Sequence, residues 1–276
     1  MEQVKHTLNN IQPGAVVIVG VPFDDHSSYL KGAALAPPHI RDALHSPSSN
    51  MCTENIRDLA REQRLADIGD LVITDYIHDI ELPISHILEK DAFVLSLGGD
   101  HSITYPILKS YVRKYKYLDI LQLDAHPDLY DEFDGNPFSH ACPFARIMEE
   151  KLAARLVQVG IRTMNPHLQN QAERFKVETI DMKSWDSSLK LTINGPVYIS
   201  LDMDVLDPAF APGVSHPEPG GLSTREVLKI IQDLDAPLVG ADIVELNPNR
   251  DLNGLTAMAA AKFLKEIVEK MLIKKG

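Results

Sequence analysis

Cysteine is almost absent: Cys52 and Cys142 are the only two in 276 residues. Two thiols are too few for a disulfide framework and are consistent with a reducing compartment, for which the cytoplasm is the simplest assignment. Basic residues are also in short supply. The 27 Lys and Arg stand against 39 Asp and Glu, a formal net charge of −12. That balance disfavours nucleic acid as a partner and favours cationic ligands or metals. Long hydrophobic runs are missing too. The first apolar run, residues 15–21, is too short to span a bilayer and lacks the basic flank and cleavage site of a signal peptide, so no membrane is expected as partner. No internal repeat, low-complexity tract or Gly/Ser/Pro-rich linker divides the chain, and one domain over residues 1–276 is expected. With 44% hydrophobic and 24% charged residues the chain can bury an ordinary core.

What is present is a recurring pattern of short apolar runs ending in polar or glycine-rich turns, at residues 16–21, 92–97, 118–123, 156–159, 197–201 and 238–244. Segments with apolar spacing near 3.6 fall between them, at 103–115, 145–152 and 224–234. Near-continuous apolar strands alternating with helices predict an α/β protein, three layers α/β/α around a mainly parallel central sheet. A last helix carries Leu264, Ile267, Val268, Met271 and Leu272 on one face, with Lys270, Lys274 and Lys275 near its C-terminus, where the macrodipole favours cations. Two irregular loops stand out, at 131–143 and 207–221. Long loops inside a compact domain are usually functional.

Three of the predicted strand ends carry metal-ligand residue types. They are Gly98-Gly99-Asp100-His101, Asp124-Ala125-His126-Pro127-Asp128 and Ser200-Leu201-Asp202-Met203-Asp204. Ligands of open α/β sheets bind beyond the carboxyl ends of the strands. Residues at i, i+2 and i+4 of an extended chain share a face, so Asp124, His126 and Asp128 are expected to converge. Burying like charges together is costly unless a cation neutralises them. Carboxylates with two imidazoles and no thiolate fit Mn²⁺, with Zn²⁺ as the alternative. Asp124, Asp128, Asp202 and Asp204 carry more charge than one divalent ion needs and balance two.

These motifs, with Asp207-Pro208, Pro212-Gly213 and Glu245-Leu246-Asn247-Pro248, resemble the ureohydrolases, the family of arginase and agmatinase, and look closest to the plant-type arginases. The resemblance implies an arginase-like fold, a trimer or hexamer, and two Mn²⁺ per subunit. One ion would be held by His101, Asp124, Asp128 and Asp202, the other by Asp124, His126, Asp202 and Asp204. It implies a small cationic guanidino substrate, with L-arginine cleaved to L-ornithine and urea ahead of agmatine cleaved to putrescine. Asp128 would move the proton, His140 would shuttle protons or touch substrate, and Glu245 would pair with the guanidinium. Asp100 is expected to orient His101, while Cys142, His216 and Glu218 are left without a role. The acids of Tyr130-Asp131-Glu132-Phe133-Asp134-Gly135-Asn136 would repel an α-carboxylate, which on charge alone favours agmatine. A metal-dependent deacetylase and a non-catalytic metal-binding protein are the other readings.

Overall fold

The computed structural model describes residues 11–188, 190–193 and 195–273. In chain order the main elements are β1 (Val16–Gly20), α1 (Ala36–Leu44), β2 (Leu65–Asp70), α2 (His78–Leu88), β3 (Phe93–Leu97), α3 (Thr104–Tyr111) and β4 (Asp119–Leu123). They continue with α4 (Pro143–Glu149), β5 (Arg155–Ile161), α5 (Pro166–Phe175), β6 (Glu178–Asp181), β7 (Val197–Asp202), α6 (Thr224–Asp233), β8 (Leu238–Val244) and α7 (Leu255–Leu272). The eight strands form one sheet in the order β2-β1-β3-β8-β7-β4-β5-β6. Every strand pair in it is parallel.

Because side chains alternate across a strand, each apolar run feeds two cores. Val16 and Ile18 of β1 pack with α1, α6 and α7 on one face. Val17 and Val19 pack with α2, α3, α4 and α5 on the other. Both faces of the central strands are thereby covered, which is why they read as apolar throughout. The edge strands escape that rule. β2 is Leu-Ala-Asp-Ile-Gly-Asp and β6 is Glu-Thr-Ile-Asp, both mostly half-exposed, and neither shows as an apolar run.

Local signals place the helices. Ser223 and Glu226 form a reciprocal capping box that starts α6 one residue later. Pro143 opens α4, where its missing N–H is harmless. The segment expected as helix over 103–115 is a 3₁₀ turn, His101–Ile103, followed by α3. In α7 the side chains of Leu264, Ile267, Val268, Met271 and Leu272 are all buried, while Lys274 and Lys275 lie outside the described residues. No helix among the described residues is long and apolar enough to cross a membrane.

Candidate metal centre and substrate pocket

The site lies beyond the carboxyl ends of β3, β4, β7 and β8, the four central strands, where the strand order departs from chain order. After β3, Gly99 lets the chain pass Phe23 so closely that a Cβ there would lie 1.7 Å from the Phe23 carbonyl oxygen. His101 follows, fully buried. Its Nδ1 stands 3.1 Å from Oδ2 of each of three carboxylates, Asp124, Asp128 and Asp202. One N–H cannot point at three oxygens, and this nitrogen has no partner in hydrogen-bonding geometry. Burial disfavours charge on the ring, but the nearness of the Asp124, Asp128 and Asp202 carboxylates outweighs it and raises its proton affinity well above the usual imidazole range. A nitrogen aimed at three anionic oxygens fits a metal ion better than it fits a proton.

A second group sits beside it. His126 Nδ1 is 2.9 Å from Asp204 Oδ2 and 3.6 Å from Asp124 Oδ1. Asp124 thus offers one oxygen to each imidazole. The carboxylates crowd one another: burial and then the charges of Asp204 and Asp124 push Asp202 well above the usual carboxylate range. Asp128 is pushed up to about 6 by burial and the charge of Asp124. Both His101-Asp124-Asp128 and Asp124-His126-Asp204 are close enough to hold an ion.

The convergence of Asp124, His126 and Asp128 differs from the extended-strand expectation. β4 ends at Leu123, and the chain turns, with Asp128 in the left-handed region at φ 52°. Asp124 and Asp128 therefore meet at His101, while His126 faces Asp204. Asp202 closes β7 and caps the following turn, its Oδ1 accepting from Asp204 N at 2.8 Å. Asp204 Oδ1 accepts from Ala125 N at 3.1 Å, which ties the β7 end to the β4 end.

Glu245 follows β8 with φ 62°, a strained conformation for a non-glycine residue that turns its carboxylate into the site. Its Oε1 accepts from His101 N at 2.9 Å and lies 2.8 Å from His140 Nδ1. The other nitrogen of His140 meets Ser28, 3.2 Å from its N and 2.8 Å from its Oγ. A backbone N–H can only donate, so Nε2 accepts in this arrangement and Nδ1–H donates to Glu245. Burial works against charge on the ring, yet the charge and hydrogen bond of Glu245 push its pKa up to about 9. Nδ1 stays bonded to Glu245 in both states, and Nε2 is the position that takes or releases a proton.

These residues border a cavity of about 180 Å³ whose lining includes Asp128, Asp202, Asp204 and Glu245 but neither Lys nor Arg. His216, from the 207–221 loop, also lines it, with its ring 5.0 Å from His140 and 6.0 Å from His126. Tyr130, Phe133, Thr163 and Leu168 complete the rim. The loop acids do not. Asp131 turns outward, accepting from Gln171 Nε2 at 2.7 Å and pairing with Arg174 at 3.2 Å.

Asp100 makes no bond to the His101 ring. It caps the 3₁₀ turn through Ser102 N at 3.0 Å and accepts from His26 N at 3.1 Å, which holds the loop that presents Ser28. Cys142 is buried beside the site, and burial followed by the charge of Asp128 pushes its thiol up to about 12, so it stays protonated. Glu218 contributes its carbonyl, which accepts from Arg162 Nε at 3.0 Å. Arg162 also donates to Asp204 O at 2.7 Å and so clamps the loop after β7. Arg162 carries no motif by which sequence reasoning could single it out.

Fold and site together define a protein built to hold cations beside a small pocket for a positively charged molecule. A profile of the Arginase family matches residues 14–269. The chain is 46% identical over 275 residues to "Arginase 1, mitochondrial" of Arabidopsis thaliana, covering 92% of this chain and 80% of that protein. It is 36% identical to an agmatinase of Neisseria meningitidis, over 91% of this chain and 85% of that protein. The solved arginase of Medicago truncatula superposes with a TM-score of 0.91 at 40% identity, covering 98% of this chain and 93% of that one. The chain belongs to the arginase family and is a ureohydrolase, a hydrolase of guanidino compounds. That membership sets aside the deacetylase reading. It also corrects the cytoplasmic assignment: the Arabidopsis relatives are named mitochondrial and chloroplastic/mitochondrial. Few cysteines exclude a disulfide framework but do not distinguish one reducing compartment from another.

Proposed function

We propose that this protein is a binuclear manganese hydrolase that converts L-arginine and water to L-ornithine and urea. The observation that carries the metal reading is the His101 nitrogen, orphaned among three carboxylate oxygens 3.1 Å away. His101, Asp124, Asp128 and Asp202 would hold one ion, and Asp124, His126, Asp202 and Asp204 the other. An oxygen-rich set with two imidazoles suits Mn²⁺. When bound, the pair of ions supplies a water acidic enough to ionise near neutral pH.

The chain's own groups do the rest. Glu245 uses Oε1 for His101 N and His140, which leaves Oε2 to accept from the guanidinium. Asp128 accepts the proton of the attacking water and returns it to the departing nitrogen. His140 Nε2 exchanges protons between the pocket and bulk water. Asp131 turns outward and neither it nor Glu132 nor Asp134 lines the cavity, which weakens the charge objection to an α-carboxylate. This supports arginine, as do the plant relatives named arginase. Agmatine remains the second reading, supported by the relative named agmatinase and by a lining without Lys or Arg. The trimer or hexamer implied by the resemblance is part of the same proposal. With Mn²⁺ loaded, kcat/KM is expected to favour arginine over agmatine by at least about tenfold, a difference near 1.4 kcal/mol. A preference for agmatine would reassign the substrate and leave the metal chemistry in place.

His140 adds a pH dependence. Its folded pKa, about 9, lies above the ordinary imidazole value of 6.5. The stability it contributes is fully present below pH 6.5 and is lost as pH rises through 9. Between those limits the metal-free wild type is expected to lose about 1–3 kcal/mol relative to metal-free His140→Gln, read from urea melts of both after chelation. Parallel curves for the two proteins would show that the ring does not charge.

A further inference from the structure

Beneath the ligand-bearing strand ends runs a row of buried polar side chains. Gln158 of β5, Gln122 of β4, Ser200 of β7, Asp242 of β8 and Ser96 of β3 are register neighbours across five strands. All five are fully buried. Polar groups in the middle of a parallel sheet are costly unless their hydrogen bonds are met; the Ser96 hydroxyl has no partner, while the bonds of the other four lead to the candidate ligands.

Asp242 accepts from three hydroxyls. Ser200 Oγ donates to its Oδ1 at 2.7 Å, while Tyr198 Oη and Thr104 Oγ1 each donate to Oδ2 at 2.8 Å. A serine hydroxyl has one proton, and Ser200 gives it to Asp242. Its oxygen, 2.9 Å from His101 Nε2, can then only accept. The ring proton of His101 is therefore fixed on Nε2, and Nδ1 presents its lone pair to the point where Asp124, Asp128 and Asp202 meet. At the other end, Gln158 Nε2 donates to Gln122 Oε1 at 2.7 Å. Gln122 Nε2 in turn donates to Asp124 Oδ2 at 2.8 Å and to His126 O at 3.0 Å.

We propose that Asp242 and Ser200 are positioning residues that set the tautomer of His101, and through it the affinity of the ion on the His101 side alone. The inference rests on the two-ion reading above. Neither residue touches the pocket, and neither reaches His126 or Asp204. Partners of a ligating imidazole fix its tautomer, and losing them typically weakens metal binding about 10–100-fold. Asp242→Asn is the sharper change because it keeps the shape. The asparagine oxygen must serve Tyr198 and Thr104, so its amide donates to Ser200. The serine proton then turns to His101 Nε2, and the ring proton moves to Nδ1, where the ion binds.

The test is a Mn²⁺ titration of the full chain, read by metal content per chain at fixed free Mn²⁺ and by electron paramagnetic resonance of the coupled pair. Wild type should hold two ions per chain. Ser200→Ala and Asp242→Asn should each weaken one ion about 10–100-fold and lose the coupled signal while keeping the second ion, and Ser200→Thr should restore both. Two ions held with unchanged affinity in both variants would overturn the proposal. So would an equal loss of both ions that threonine does not rescue, which is the mark of general disruption. A wild-type chain that binds no ion would instead overturn the two-ion reading, and this proposal with it.

Discussion

Asp128→Asn, compared with wild type at equal bound Mn²⁺ because the same carboxylate would also help hold an ion, is expected to lower kcat for urea release by about a thousandfold with little change in KM. General acid–base groups typically contribute 10²–10⁴-fold, and asparagine can neither take the water's proton nor return it. A loss confined to kcat marks an interaction made in the transition state. Folding should survive the change. Asp128 sits at φ 52°, and asparagine tolerates the left-handed region as well as aspartate does. Its carboxylate is also pushed up to about 6 by burial and Asp124, so removing its charge relieves repulsion in the metal-free chain. Circular dichroism checks the fold, and urea assays across arginine concentrations separate kcat from KM. A loss under about tenfold would remove Asp128 from the proton transfer.

Stripping metal should have the other large effect, on turnover and stability together. Asp124, Asp128, Asp202 and Asp204 are all buried, and the histidines alone do not offset them. An ion that binds only the folded state and is present at 1,000 times its Kd stabilises by about 4 kcal/mol. For a chain of this size that corresponds to a fall in Tm on the order of 10 °C after chelation. Urea release should vanish at the same time, and Mn²⁺ should restore both. A chelated protein with background metal content, unchanged melting and unchanged turnover would refute the metal account.

How much of this was readable in advance depended on burial. β1, β3, β4, β5, β7 and β8 are covered on both faces, so they declare themselves as apolar runs. β2 and β6 at the edges are covered by fewer neighbours and carry Asp67, Asp70, Glu178 and Asp181. The candidate ligand residues are conspicuous in the sequence because carboxylates and imidazoles clustered at three strand ends have no inexpensive structural explanation. Their geometry is not. Period-two alternation holds only while the strand continues, and β4 stops at Leu123, one residue before the first ligand. The direction of Asp131 was equally hidden, because Gln171 and Arg174, which turn it outward, lie on α5, 40 and 43 residues along the chain. The polar row carries a signal of its own. Gln122, Gln158, Ser200 and Asp242 each interrupt an apolar run, and a polar residue in a strand buried on both faces must be bonded to something.

Two imidazoles and four aspartates beyond β3, β4 and β7 are proposed here to support cleavage of a guanidinium to urea. Release of urea and amine by Mn²⁺-loaded protein, measured with arginine, agmatine and shorter guanidino acids, tests this without an intermediary. Urea and ornithine should form in equal amounts from arginine. Absence of urea with every member of that panel would rule the chemistry out.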